Sequence, residues 1–407
     1  MPLLAVGQDA SEGRKKETGA KRSMSLADFE GLAFQHNPTL ARATARIQAA
    51  KGRQFQAGRY PNPVIGYHAT EVGNRGTSGQ QGGFVSQRFI TAGKLKLDQE
   101  IASKAIDEAH FLFHGQEQRV LSDVRIRFYE TLVAQRRVEL TKELARIGDE
   151  LVQATEKLLQ GRLGTDNDLL QAEIRADESR ILLDNARNEH QEAWRRLLAV
   201  VGKPRLKMVA VSGDLVGKIP KLDWDACYET VLSSNPQLNA AQARVDRASV
   251  VIRRARREPI PNVDFIVSMR HNNITGSDNA NVQLGIPLPV FDRNKGNISA
   301  AEAEWIAAKK DAERIELHIQ DHLATAYRRY ANARQQVERY GTRMVPRAKK
   351  SLALVTGGYE KGQVQYLTLL TAQQTYLQVN MSYLESLREF RTSMALINAQ
   401  LFSGSLK

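Results

Sequence analysis

A chain of 407 residues can bury two or three ordinary cores, but only 6% of it is aromatic, and Ala, Leu, Arg, Gln and Glu abound, which suits long packed helices better than a compact enzyme. The net charge of +13 is compatible with nucleic acid, an anionic membrane surface or plain solubility, and the single cysteine, Cys227, excludes an internal disulfide framework and a Cys-rich zinc site. No run of about 18 apolar residues is present, which excludes a transmembrane helix but not a β-barrel, whose strands of roughly 9–11 alternating residues each carry a weak signal.

The start, Met1 to Gly7, reads as the end of a secretory leader, and the charged stretch over residues 8–23 reads as disordered. Residues 1–24 are therefore a tail. Ser25 is a predicted N-cap with Asp28 three residues on, and Leu26, Phe29, Leu32 and Ala33 have helical spacing. Asn37-Pro38 ends that helix and starts another over 39–59, which Tyr60-Pro61-Asn62-Pro63 terminates. Two short strands follow at 64–70 and 83–89, joined by a polar loop from Gly73 to Gly83. Residues 94–160 hold no proline and only Gly115 and Gly148, so they predict one helix of about 100 Å. It reverses at Gly161-Arg162-Leu163-Gly164, and a return helix covers roughly 166–201.

The plan then repeats. Asn37-Pro38, Pro61 and Pro63 return as Asn235-Pro236, Pro259 and Pro261, and residues 37–63 share 11 of 27 identities with residues 235–261 without a gap. The second copy has strands alternating at Val263, Phe265, Val267 and Met269, then at Val282, Leu284, Ile286 and Leu288, with the polar loop His271–Ala280 between them. Its long helix runs from about 298 to 355 with a kink at Pro346. A turn at Gly357–Gly362, two residues longer than the first, leads to a return helix over 364–402. The chain divides into a first repeat at 25–210 and a second at 211–407. It is mainly α with a small β part. Four strands leave open edges, whereas three protomers supply twelve strands, an even number that closes a β-barrel while the long helices gather into an α-barrel.

These features resemble the TolC-type outer-membrane efflux duct family, and the flavour of the sequence is most similar to its heavy-metal branch. The resemblance rests on the two-copy layout, the helix starts Asn37–Ala45 and Asn235–Ala243, the Pro-x-Pro strand starts, the hairpin exits Phe89–Lys94 and Val290–Lys295, and the turn Tyr359–Gln373. It implies a homotrimer in the outer membrane with its helical barrel in the periplasm. It also implies a passive exit duct that needs no cofactor, catalyses nothing, and works with a periplasmic adaptor and an inner-membrane transporter. The cargo would be metal cations or small toxic compounds.

By the same resemblance the tips Gly161, Arg162, Gly164, Thr165, Lys361, Gly362 and Gln363 meet the adaptor, the glycines supplying positive φ where the chain reverses. The family's constricting acids fall here at Thr368 and Thr371, which carry no charge. Asp166 and Asp168 of the first turn are the candidate cation-attracting ring, against a plain role beside the helix dipole. The pairs His110/His114 and His318/His322 have the i,i+4 spacing that chelates metals. On charged helices they read first as solvated or packing histidines, so no metal site is assigned. The arginines at 244, 247, 253, 254, 256 and 257 form the densest basic stretch, but without a recognition motif they point to a membrane-boundary belt and not to nucleic acid. A coiled-coil scaffold or an adaptor-like protein is the alternative. Neither explains the twice-repeated strand hairpin. There is no P-loop, dinucleotide fingerprint, HExxH or nucleophile elbow.

Overall fold

The computed structural model describes residues 23–217 and 219–406. Of the expected tail, residues 1–22 lie outside the described residues, while Met24 is held in a bridge to Val211. In chain order the elements are α1 (Leu26–His36), α2 (Pro38–Ala57), β1 (Val64–Thr70), β2 (Gln80–Phe89), α3 (Lys94–Gln160) and α4 (Asp166–Val201). The second run of the same order is α5 (Trp224–Ser234), α6 (Pro236–Arg257), β3 (Val263–Asn272), β4 (Ser277–Gly285), α7 (Lys295–Arg339), α8 (Val345–Glu360) and α9 (Tyr366–Asn398).

Local chemistry explains the helix starts. The Asp28 carboxylate accepts from Ser25 N at 2.8 Å, and Ser25 Oγ accepts from Asp28 N at 3.4 Å, a reciprocal box that caps α1. Asn37 and Asn235 each sit just before a proline in the first helical turn. Their Oδ1 atoms accept from Thr39 N at 2.9 Å and from Gln237 N at 2.9 Å. The proline has no N–H to leave unpaired there, and its φ is already helical.

The residues form two compact units, each drawing on both halves of the sequence. The first takes the described part of 1–32 with 127–217 and 340–388. In it Phe29 packs edge-on against Trp194, with ring centroids 5.9 Å apart, and tilts against Phe128 at 6.1 Å. Met24 pairs with Val211 as a short parallel bridge. Gln135 clamps that segment, accepting from Val211 N at 2.9 Å and donating to Val211 O at 3.3 Å. A second cluster, around Leu151, Leu352, Tyr359, Tyr366 and Leu369, lies beneath the turns that join α3 to α4 and α8 to α9.

The second unit takes 33–126, the described part of 218–339, and 389–406. Tyr330, 1% exposed, accepts from Leu222 N at 3.0 Å and donates to Pro220 O, which pins the segment before α5 onto α7. Five of the six arginines on α6 are held by acids. Arg244 and Arg247 share Glu108 at 2.5 and 2.8 Å, Arg254 meets Asp98 at 2.8 Å, Arg256 meets Glu302 at 2.7 Å, and Arg253 pairs with Glu100. Each partly exposed pair is worth at most about 1 kcal/mol, so this ladder fixes the register of α6 more than it stabilises.

Several expected boundaries are corrected. The loops Gly73–Gly83 and His271–Ala280 are too long: β2 begins at Gln80, and β3 runs to Asn272 before a loop of only 273–276. Backbone pairing continues there irrespective of side-chain polarity. Asn272 Oδ1 accepts from Ile274 N at 2.9 Å, and Gly276 takes φ 69° to close the turn. The strand expected through Leu288 stops at Gly285, because Pro287 and Pro289 cannot donate to a ladder. The long second helix does not bend at Pro346 itself. It breaks into a π-turn over Tyr340–Met344, which absorbs the carbonyl that Pro346 would block. Its return helix ends at Asn398, where Gln400 and Leu401 both take positive φ.

Candidate channel-forming surfaces and helical tips

The four strands make one antiparallel sheet in the order β1-β2-β3-β4. Its register sorts the side chains into two faces. One cross-strand row is Ile65, Val85, Val267 and Val282; the next is Tyr67, Gly83, Met269 and Ala280; Phe265 stands opposite Leu284. These rows share a face that is apolar and exposed: Ile65 is 80%, Met269 68% and Val282 70% accessible. The opposite, more polar face carries His68, Gly82, Arg270 and Asn279 in one row and Val64, Ser86, Ile266 and Gln283 in another, with Arg88 bridging Asp264 at 2.7 Å between β2 and β3. Each large apolar side chain left in water forgoes about 1.5–3 kcal/mol. Among the described residues nothing pairs with the outer edges of β1 and β4. Among the described residues no helix is long and apolar enough to cross a membrane. The sheet is the surface suited to lipid, with its polar face suited to a water-filled lumen.

Both helical turns lie in the first unit, and each ends its helix with the same pair of backbone bonds. Leu163 N donates to Leu158 O at 2.8 Å and Arg162 N to Leu159 O at 2.9 Å. At the second turn Gln363 N donates to Gly358 O and Gly362 N to Tyr359 O, both at 2.9 Å. This is the Schellman arrangement, which needs one left-handed residue. At the second turn Gly362 supplies it with φ 69°. At the first turn the expectation that glycine does so is wrong: Arg162 takes φ 59°, and neither Gly161 nor Gly164 has a positive φ. The turns are also equal in length, 161–165 and 361–365, because α8 continues through Gly357 and Gly358 to Glu360. Val364 covers Gly358 so closely that an added Cβ would meet it at 2.7 Å.

The same alignment relocates the candidate entrance residues. Thr165 caps α4: its Oγ1 accepts from Asp168 N at 3.2 Å, and Asp168 Oδ2 accepts from Thr165 N at 3.2 Å. Asp168 is thus engaged in a capping box, while Asp166 stands exposed in the first turn of α4. At the second turn Thr368 is exposed, and Thr371 donates its hydroxyl back to Leu367 O at 2.9 Å. Lys361 and Gln363 are exposed. Sequence reasoning missed what lies beneath. Tyr359, 5% exposed, shares a 2.9 Å hydrogen bond with Thr155 Oγ1 of α3, and its ring lies 5.8 Å from that of Tyr366. Burial pushes the Tyr366 hydroxyl up to about 12 and raises that of Tyr359.

Long helices that end in tight tips, joined to a two-faced sheet with open edges, define a subunit of a membrane channel. The chain belongs to the outer membrane efflux protein family, whose profile matches residues 31–203 and again 227–399. It is an outer-membrane efflux channel component, with the helical part in the periplasm. Among its relatives is the cobalt-zinc-cadmium resistance protein CzcC of Cupriavidus metallidurans, 23% identical over 363 residues, which span 89% of this chain and 86% of CzcC. The alkaline protease secretion protein AprF of Pseudomonas aeruginosa is 24% identical over 306 residues, or 65% of this chain and 61% of AprF. The crystal structure of CusC shares the fold, with a TM-score of 0.79 at 17% identity, over 93% of this chain and 92% of that one.

Proposed function

We propose that three copies of this chain close into one duct. Each contributes four strands to a twelve-stranded β-barrel in the outer membrane, and the long helices of its two structural repeats, 25–210 and 211–407, form a periplasmic α-barrel. The observation that carries this reading is the sheet: its apolar face is exposed along its whole width, and both its edges lack partners. Neither feature is tolerable in a lone subunit, and strand pairing between copies with lipid outside removes both.

The duct is passive and takes cargo from an inner-membrane transporter through a periplasmic adaptor. The adaptor docks on the tips formed by Gly161, Arg162, Gly164, Thr165, Lys361, Gly362 and Gln363. The exposed Leu163, Leu170 and Leu367 around them, 74%, 58% and 68% accessible, support a docking role. Asp166, Asp168, Thr368 and Thr371 line the entrance. Metal cations are the proposed cargo class, supported by the likeness to CzcC.

The test is the mass and location of the detergent-extracted chain, produced behind a working leader. A particle of three times the 45.5 kDa chain mass in the outer-membrane fraction is expected. A monomer or dimer outside the membrane would overturn the duct and favour a coiled-coil scaffold.

A further inference from the structure

We infer that His110 and His114 of α3, with Asp107 as third ligand, form a binding site for a zinc-class dication facing α6. Positions 107, 110 and 114 step by three and four residues, which brings all three side chains onto one face of the helix. They line an open surface cavity whose other wall is α6, including Gln242 and Asp246. His110 is exposed, and the side chains of His114 and Asp107 are 60% and 48% accessible, so a cation reaches them from solvent.

One ring is already oriented. His114 Nδ1 lies 2.8 Å from Glu117 Oε2. An ionised carboxylate only accepts, so Nδ1 carries the proton, and the Nε2 lone pair is left for a metal. A carboxylate behind the imidazole is the usual support of a metal-bound histidine. Two imidazole nitrogens with one carboxylate oxygen suit Zn²⁺, Co²⁺ or Ni²⁺, whereas Mg²⁺ and Ca²⁺ demand oxygen throughout.

Among the described residues no three such side chains already surround one metal position. The two histidines form the chelate first. Asp107, now 3.5 Å from Lys104 Nζ, then turns in, at the loss of a surface ion pair that contributes little. His318 and His322 on α7 also have i,i+4 spacing, with ring centroids 3.9 Å apart, but among the described residues no carboxylate is hydrogen-bonded to either ring. That pair is the internal control. The proposed site stands on the packing of α3 and α6 alone and does not depend on the trimeric duct.

The experiment is titration of Zn²⁺ into the full detergent-extracted chain, with Co²⁺ visible absorption as a second readout. One site per chain is expected. His110→Asn with His114→Asn should weaken it at least tenfold and abolish the Co²⁺ band, Glu117→Gln and Asp107→Asn should each weaken it several-fold, and His318→Asn with His322→Asn should leave it unchanged. Unchanged affinity in the His110/His114 variant, loss in the His318/His322 variant instead, or no zinc binding by the wild-type chain would each overturn the site. A chain that ignores zinc yet forms the three-copy outer-membrane particle would sink this inference and leave the duct standing. The Glu117 and Asp107 variants keep the test open if the double histidine variant does not fold.

Discussion

At the first tip the amides of Arg162 and Leu163 bond back to Leu159 and Leu158; at the second, those of Gly362 and Gln363 bond back to Tyr359 and Gly358. The backbone is the same, but what holds it is not. The first tip relies on polar caps at the surface: Thr165 and Asp168 satisfy each other's amides, and Asp166 stands exposed at the first position of α4. The second relies on burial. Where α4 has Asp166, α9 has Tyr366, 8% exposed and tilted against the ring of Tyr359. A cap contributes about 1 kcal/mol and a buried aromatic several times that. The second tip also has glycine in the left-handed position, where Arg162 incurs about 1–2 kcal/mol of backbone strain at the first. Identical chain reversals can therefore differ widely in stability, and the first tip is the one poised to rearrange.

The largest effect that separates the tips should come from Tyr359→Ala. It removes a buried ring and its hydrogen bond to Thr155 Oγ1, which keeps its own bond to Leu151 O at 2.9 Å, and costs about 3–5 kcal/mol. Hydrogen exchange should show the amides of the second tip opening while those of the α4 start remain protected; equal loss at both tips would mean that they form one cooperative element. The next effect is alkaline. The folded second tip holds the Tyr366 proton up to about 12, against an ordinary 10, because burial disfavours the phenolate. A raised pKa of this kind stabilises fully below about pH 10 and is lost as pH climbs from 10 towards 12. Exchange at the second tip should accelerate in that window ahead of the first, which has no tyrosine. Smaller again is the backbone pair. Gly362→Ala should destabilise by about 1–2 kcal/mol, and Arg162→Gly should stabilise by up to about 1 kcal/mol, both read from denaturant midpoints. An Arg162→Gly variant less stable than wild type would show that the arginine side chain, not the backbone, matters there.

Much of this frame was legible in the sequence, for reasons that show where legibility stops. The span of α3 follows from a proline-free run, and the strands from period-two alternation, because both are local properties. Arg162 was passed over because glycines stood on either side, and which residue of a reversal goes left-handed depends on the hydrogen-bond pattern, not on residue type alone. The turns were misjudged as unequal because Gly357 and Gly358 look like breakers, yet both sit inside α8, Gly358 beneath Val364. The arginines of α6 read as a membrane-boundary belt because their acids, Asp98, Glu100 and Glu108, lie far away in sequence on α3 and meet them only after packing. Likewise nothing local announces that Thr155 and Tyr359 share a hydrogen bond.

The smallest expected change in stability bears most directly on the channel. Asp166 and Asp168 are two residues apart, each carries one negative charge, and three copies of either would make a ring at the proposed entrance. The capping box divides their labour. Asp168 has its carboxylate held by Thr165 N and Thr165 Oγ1, at 3.2 and 2.8 Å, so part of its charge is already spent on the helix start. Asp166 is exposed, and its field extends into solvent over a Debye length of about 8 Å at physiological salt. Asp168→Ala should therefore cost about 1 kcal/mol of stability and alter cation selectivity little. Asp166→Ala should cost only a few tenths of a kcal/mol yet lower the preference for cations over anions in single-channel recordings, most clearly at low salt. If the two substitutions shift selectivity equally, the hydrogen bonds of the cap do not withdraw Asp168 from the entrance. If neither does, the acids of the first tip serve only to start α4, and cation preference must arise elsewhere along the duct.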